Sequence, residues 1–156
     1  KDNLMRAFAG ESQARNRYTF AAGQAKKDNL YVVSAVFNYT AEQEKEHAEI
    51  FYNHLKELAG ETIHVDGGYP VDFSKDVAEL LRMAQHNEYE EHDPVYKHFG
   101  DKAKEEGFLD VASSFHKIAE IEKIHGDRFG RLAELLEKGK LFGCIDSKRR
   151  KITNSL

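Results

Sequence analysis

The 156-residue chain contains one cysteine and two prolines, and it has no long apolar run. A single cysteine, Cys144, cannot close an intramolecular disulfide or supply the paired CxxC motifs of a thiolate zinc or rubredoxin-type iron site. So little cysteine fits a reducing compartment, and a cytoplasmic location is the expectation. No stretch approaches the roughly eighteen apolar residues of a membrane span, and no signal-peptide core is present, so no membrane partner is expected. The charge also lacks a dominant sign. Twenty-three basic against 27 acidic residues leave −4, which points to neither nucleic acid nor a membrane surface. The one basic run, Lys148-Arg149-Arg150-Lys151, is read as a solvated terminal segment. With 40% apolar and 32% charged residues, the composition is that of a helix-rich globule with one core.

Apolar residues recur at helical spacing from Asn3 to Lys27, with Asp2 or Asn3 as N-cap and Asp28-Asn29 offering a left-handed residue at the end. A second helix is predicted from Leu30 to Ala59, stopped by Gly60. The third runs from Ser74 to Glu106, with a kink or break near Asp93 imposed by Pro94. The fourth spans Phe108 to Lys138 before Gly139. The segment between helices two and three, Glu61 to Phe73, contains HVDGGYPVD and exceeds the usual loop of about two to eight residues. Extended, it reaches about 45 Å, enough to carry the chain from one end of a bundle to the other.

The heptad AEQEKEH, Ala41 to His47, returns as AEIEKIH, Ala119 to His125. AKKDN (Ala25 to Asn29) and AKEEG (Ala103 to Gly107) repeat at the same offset, as do Phe37 and Phe115, while Glu11 matches Glu88 within one residue. The chain therefore reads as a duplicated helical hairpin. Each half carries one isolated Glu, followed about thirty-three residues later by Glu-x-x-His.

Residues i and i+3 share a helix face, so Glu44 points with His47 and Glu122 with His125. Counted from the bends, Glu11 and Glu44 reach nearly the same height in the first hairpin, and Glu88 and Glu122 in the second. Bare carboxylates gathered in a bundle interior would cost several kcal/mol each. Two divalent cations remove that cost, with Glu11, Glu44, Glu88, Glu91 and Glu122 bringing about −5 against +4. One Glu-x-x-His on a charged helix is ordinarily surface decoration. Two in register, each with a Glu at matching depth, form the ligand pattern of ferritin-like di-iron carboxylate bundles. Carboxylate oxygens with one imidazole per ion suit Fe or Mn. Tyr18, two turns after Glu11, is a candidate hydrogen-bond donor to a ligand carboxylate as well as a core aromatic. The remaining six histidines and the Phe series (Phe8, Phe37, Phe115, Phe129) read as surface or packing residues.

The motifs AFAGESQARNRY (Ala7 to Tyr18), QEKEH (Gln43 to His47), EYEE (Glu88 to Glu91) and EKIH (Glu122 to His125) resemble those of the rubrerythrins, non-haem di-iron proteins of the ferritin-like superfamily. The resemblance spans roughly residues 1 to 140. It implies an all-α, ferritin-like four-helix bundle over residues 1–140, made of two duplicated hairpins joined by a long crossover, and a short tail over 141–156. It further implies two Fe ions, with Mn or Zn able to substitute, held by Glu11, Glu44, His47, Glu88, Glu91, Glu122 and His125. Glu91 and His47 would be alternative ligands to one iron as the oxidation state changes. The implied activity is NADH-linked reduction of hydrogen peroxide to water, and a homodimer is expected, with helix exchange permitted by the hairpin duplication. Ferroxidase or O2-reducing oxidase activity, and iron binding or storage without turnover, stand as alternatives. The departure is the C-terminus, LFGCIDSKRRKITNSL, which lacks the four-Cys iron domain usual in rubrerythrins. This chain would then take its electrons from a separate donor such as rubredoxin.

Overall fold

The computed structural model describes residues 1–141. Its main elements are α1 (Asp2–Lys27), α2 (Tyr31–Asn53), α3 (Val77–Glu90), α4 (Lys97–Glu105) and α5 (Leu109–Glu137), and no strand occurs among the described residues. Helices α1 and α2 form one antiparallel hairpin. Helices α3 and α4, joined end to end, form the other with α5, and the two hairpins pack into a four-helix bundle. The bends repeat as the sequence does. Asn29 and Gly107, at equivalent places in the two halves, both hold the left-handed backbone, at φ 61° and 86°. Asn and Gly are the residues that enter this region most readily, which is why they end α1 and α4.

Two apolar clusters occupy the two ends of the bundle interior. One is built around Tyr18, Phe37 and Phe129, with ring centroids 5.0–6.0 Å apart. The other is built around Tyr96, Phe115 and Phe51, at 4.6–5.7 Å. The triads are copies of one another, each member of the first lying 78 positions from its counterpart in the second. Buried charge lies between these clusters, so aromatic packing closes the polar layer from both ends.

Several boundaries differ from the sequence expectation. Helix α1 starts at Asp2 with no side-chain cap. Helix α2 ends at Asn53 and gives way to a 3-10 turn, Lys56–Leu58. Tighter i→i+3 bonds there, Leu55 N to Tyr52 O and Leu58 N to Leu55 O, satisfy terminal carbonyls while Leu55 is tucked into the core. Asp76 is the N-cap of α3 and accepts from Ala78 N at 2.8 Å. Ser74 supports it by accepting from Asp76 N and donating to Glu79.

The break at Pro94 has more structure than a kink. Residues Glu91–Tyr96 form a π-helical turn, and Asp93 leaves helical geometry altogether (φ −149°, ψ 116°), as the residue before proline tends to do. This turn also explains a discrepancy in the repeat. Glu11 and Tyr18 are seven residues apart, whereas Glu88 and Tyr96 are eight apart. The second half holds one extra residue, and the wide turn absorbs it.

The crossover from α2 to α3 runs along α1. Arg6 Nε and Nη2 donate to the carbonyl and carboxylate of Asp66, both at 2.9 Å, and Tyr69 donates to Arg6 O. Further along, Arg17 pairs with Asp72, which also accepts from Asn87 at 2.7 Å, and Gln24 reaches Lys75 O. From Arg6 to Gln24 the strap follows about 27 Å of helix. It thus performs the end-to-end transfer expected of it. Cys144, the basic run and the rest of the expected tail lie outside the described residues.

Candidate metal centre

The duplicated heptads put Glu44 and His47 on the inner face of α2 and Glu122 and His125 on that of α5, while α1 contributes Glu11 and α3 contributes Glu88. All six are buried. Ligand atoms from Glu11, Glu44, His47 and Glu122 lie within 4.8 Å of one another, and so do atoms from Glu44, Glu88, Glu122 and His125. Glu44 and Glu122 belong to both groups. His47 Nδ1 is 2.8 Å from Glu122 Oε1 and 3.4 Å from Glu44 Oε2. His125 Nδ1 is 2.8 Å from Glu122 Oε2 and 3.1 Å from Glu44 Oε1. The two rings stack with centroids 5.8 Å apart.

Buried polar atoms are normally satisfied, and here a whole set is not. Glu11 Oε2, both oxygens of Glu44 and of Glu122, Glu88 Oε2 and Nδ1 of both histidines lack a well-formed hydrogen bond. These are the atoms that face one another. The remaining oxygens of the two outer carboxylates do have partners. Tyr96 donates to Glu11 Oε1 at 2.6 Å, and Tyr18 donates to Glu88 Oε1. The pairing crosses between the halves, each tyrosine reaching the glutamate of the other hairpin. A donor set so arranged fits two cations that share Glu44 and Glu122, each with one imidazole nitrogen.

The electrostatics without cations express the same crowding. Burial, then the charge of Glu122, raises the Glu11 carboxyl well above its ordinary range; burial, then the charge of Glu44, does so for Glu88. Burial alone would also raise Glu44, but the imidazoles of His125 and His47 outweigh it and hold that carboxyl at about 2. For His125, burial favours the neutral ring, yet close contacts with Glu122, Glu44 and Glu88 push it up to about 12. His47 is raised as well, its burial offset by Glu11, Glu122 and Glu44. Protons therefore occupy places that cations can take.

Around His125 the polar network extends outward. Its Nε2 lies 3.2 Å from Gln43 Oε1, which also accepts from Arg128 Nη1 at 3.3 Å. Arginine can only donate, so the Gln43 oxygen faces both groups and His125 carries its proton on Nε2. With Nε2 held as a donor to Gln43, Nδ1 is the nitrogen that would give up its proton and offer a lone pair to a cation among the carboxylates.

Glu91, the seventh residue proposed from sequence, belongs to neither group of four. It is half-buried on the π turn, where burial and the charges of Glu88, Glu122 and Glu44 hold its carboxyl well above the usual range. Sequence reading missed Tyr96 and the Gln43–Arg128 pair. Tyr96 was within reach, because it sits 78 positions after Tyr18 in the same repeat. Gln43 and Arg128 carry no comparable spacing signal.

Residues 2–133 match the rubrerythrin family model. The rubrerythrin of Clostridium perfringens is 44% identical over 142 residues, covering 90% of this chain and 73% of that protein. The rubrerythrin of Porphyromonas gingivalis is 42% identical over 140 residues, covering 90% and 68%. Among solved structures, nigerythrin in a partially reduced state matches with a TM-score of 0.76 at 26% identity, over 86% of this chain and 66% of that one. With a duplicated carboxylate and histidine site of the di-iron type inside a ferritin-like bundle, the chain belongs to the rubrerythrin family.

Proposed function

We propose that the protein is a non-haem di-iron peroxidase that reduces hydrogen peroxide to water with electrons from a separate carrier. Glu11, Glu44, His47 and Glu122 would hold one ion, and Glu44, Glu88, Glu122 and His125 the other. When bound as a ferrous pair, the metals would supply both electrons and polarise the O–O bond in H2O2 + 2 e− + 2 H+ → 2 H2O. The chain's part is to exclude water with its two aromatic layers, fix the outer carboxylates through Tyr18 and Tyr96, and set the His125 tautomer through Gln43. Manganese or zinc would fit the same donors without matching this redox role.

The observation that carries the reading is the position of Glu91. The four clustered glutamates already balance two divalent ions, so a fifth carboxylate beside them is surplus in the reduced state and useful in a more highly charged oxidised one. His47 and Glu91 would then serve one metal position in alternate oxidation states. The presence of His47 inside the first group, with Glu91 adjacent but outside it, supports that division.

The deciding experiment loads the protein with Fe(II) under argon and follows its oxidation by peroxide and by O2 in parallel. Faster reaction with peroxide is expected; faster reaction with O2 would move the assignment to a ferroxidase or oxidase. Glu91→Ala should still bind two Fe(II) but complete the peroxide cycle slowly. Normal turnover in that variant would remove Glu91 from the chemistry. NADH-driven turnover with a rubredoxin reductase should require added rubredoxin.

A further inference from the structure

A cleft of about 330 Å³ lies between α1, the crossover strap and the π turn. Two of its lining residues belong to the centre or touch it directly: Glu91, and Tyr96, whose hydroxyl is bonded to Glu11. The larger cleft at the end of the bundle, about 720 Å³, borders none of the seven proposed ligands. The strap forms the outer wall of the smaller one. It is pinned on one side by Arg6 to Asp66 and on the other by Arg17 and Asn87 to Asp72, so that Gly67-Gly68-Tyr69-Pro70 spans the opening.

The floor of this cleft includes Gly10, next to Glu11 in the chain. Glycine inside a helix costs about 1 kcal/mol relative to alanine, so it calls for a reason. Close packing explains Gly100, Gly126 and Gly130, where an added Cβ would fall 2.5, 2.6 and 2.2 Å from His116, Tyr89 and Gln85. Gly10 differs. Its backbone is helical, and a Cβ would sit 3.7 Å from the Tyr69 ring and 3.8 Å from the Tyr96 hydroxyl, which is ordinary contact. Neither backbone nor packing requires glycine there; the same holds at Gly23, but of the two only Gly10 lines the cleft. What glycine leaves is open space between the two tyrosines.

Resting on the peroxidase reading, we propose that this cleft is the passage by which the oxidant reaches the metal centre, and that the missing side chain at Gly10, facing Tyr69, sets its size limit. Aromatic and apolar walls are joined by the polar Gln13 and Asn87, by Arg6, whose charge is paired with Asp66, and by the carboxylates of Glu90 and Glu91. Such a lining favours a small neutral molecule over an anion. Hydrogen peroxide meets both conditions, whereas the ring of a bulky organic hydroperoxide would have to pass Tyr69 and Tyr96 at Gly10.

The test compares Fe(II)-loaded wild type, Gly10→Ala, Gly10→Leu and Tyr69→Ala, with Gly23→Leu as control because nothing lies within 4 Å of a Cβ at that position. Association of nitric oxide, a small neutral ligand that needs no turnover, is followed by stopped-flow absorbance. Oxidation by hydrogen peroxide and by cumene hydroperoxide is measured alongside. Gly10→Leu should slow nitric oxide and hydrogen peroxide by roughly tenfold or more, the cost of forcing about 1.4 kcal/mol of extra packing into a narrow path. Gly10→Ala should show a smaller slowing with an undiminished melting temperature, and Tyr69→Ala should accelerate cumene hydroperoxide selectively. Gly23→Leu should match wild type. If Gly10→Leu does not fold, the alanine variants decide. Wild-type rates and selectivity in both Gly10→Ala and Tyr69→Ala, or equal slowing in Gly23→Leu, would overturn the passage while leaving the di-iron reading intact. Failure of wild type to bind two irons would overturn that reading instead.

Discussion

Replacing Tyr96 by phenylalanine removes one hydroxyl and leaves the ring in its aromatic triad, so the substitution isolates a single hydrogen bond. That bond is 2.6 Å long and ends on Glu11 Oε1, with donor and acceptor both buried. In the metal-free protein burial, then the charge of Glu122, raises the Glu11 carboxyl well above its ordinary range, which favours the neutral acid and makes the bond less charge-assisted. Its loss should cost about 1 kcal/mol of stability. With metal bound, Glu11 is an ionised ligand and the same bond is charge-assisted, worth about 1.5–3 kcal/mol. The difference, about 0.5–2 kcal/mol, is a loss of affinity of about two- to thirtyfold at the position that Glu11 serves. Chelator-competed Zn(II) or Co(II) titration would read it, and melting of the metal-free protein would supply the reference. Tyr18→Phe should do the same at the position that Glu88 serves, because the bonds cross symmetrically between hairpins. Unchanged affinity in both variants, or a loss no larger than the metal-free destabilisation, would refute the reasoning.

Because Glu44 and Glu122 belong to both groups, Glu44→Ala or Glu122→Ala should lose both metals by elemental analysis, whereas Glu11→Ala or Glu88→Ala should retain about one. His47, His125, Glu11 and Glu88 are all shifted towards their protonated forms without metal, so metal binding should release protons in unbuffered titrations, and affinity should climb as pH rises towards about 12. The sign is opposite for the metal-free fold. A raised His125 stabilises it fully below the ordinary histidine range, and this contribution is lost only as pH climbs through about 12. Gly126→Ala would bring a Cβ within 2.6 Å of the Tyr89 ring and disturb its bond to Asp127, so thermal unfolding should report a loss of about 1–3 kcal/mol.

The clustered glutamates and histidines were legible because the chain repeats itself. Register between two Glu-x-x-His copies is a long-range signal that a single helix pattern lacks, and it fixed the depth of Glu11, Glu44, Glu88 and Glu122 before any packing was known. The same repeat could have named Tyr96, which stands 78 positions after Tyr18; the extra residue changes only its spacing from Glu88, and the π turn shows where that residue goes. Helix ends were less legible. Whether α2 stops at Asn53 or Ala59 depends on where Leu55 can be buried, which is a tertiary matter that local spacing does not encode. Gln43 and Arg128 act through side-chain geometry across two helices, and nothing in their spacing distinguishes them from surface polar residues.

The crossing of ligands between hairpins bears on how such a bundle can arise. Residues 2–53 hold Glu11, Glu44 and His47 but lack the Glu122 that completes their group, and residues 77–137 hold Glu88, Glu122 and His125 but lack Glu44. Neither hairpin has a complete site alone. Two identical copies related by a two-fold axis would have both, since each would lend its shared carboxylate to the other. The strap from Glu61 to Asp76 turns that pairing into an intramolecular event, at an effective concentration that a short tether raises to about the millimolar range. Fused in this way, the halves were free to diverge. The one-residue difference after Glu88 is a change that an assembly of identical chains could adopt only twice over, so a tethered duplicate can reshape one side of a paired centre and leave the other as it was.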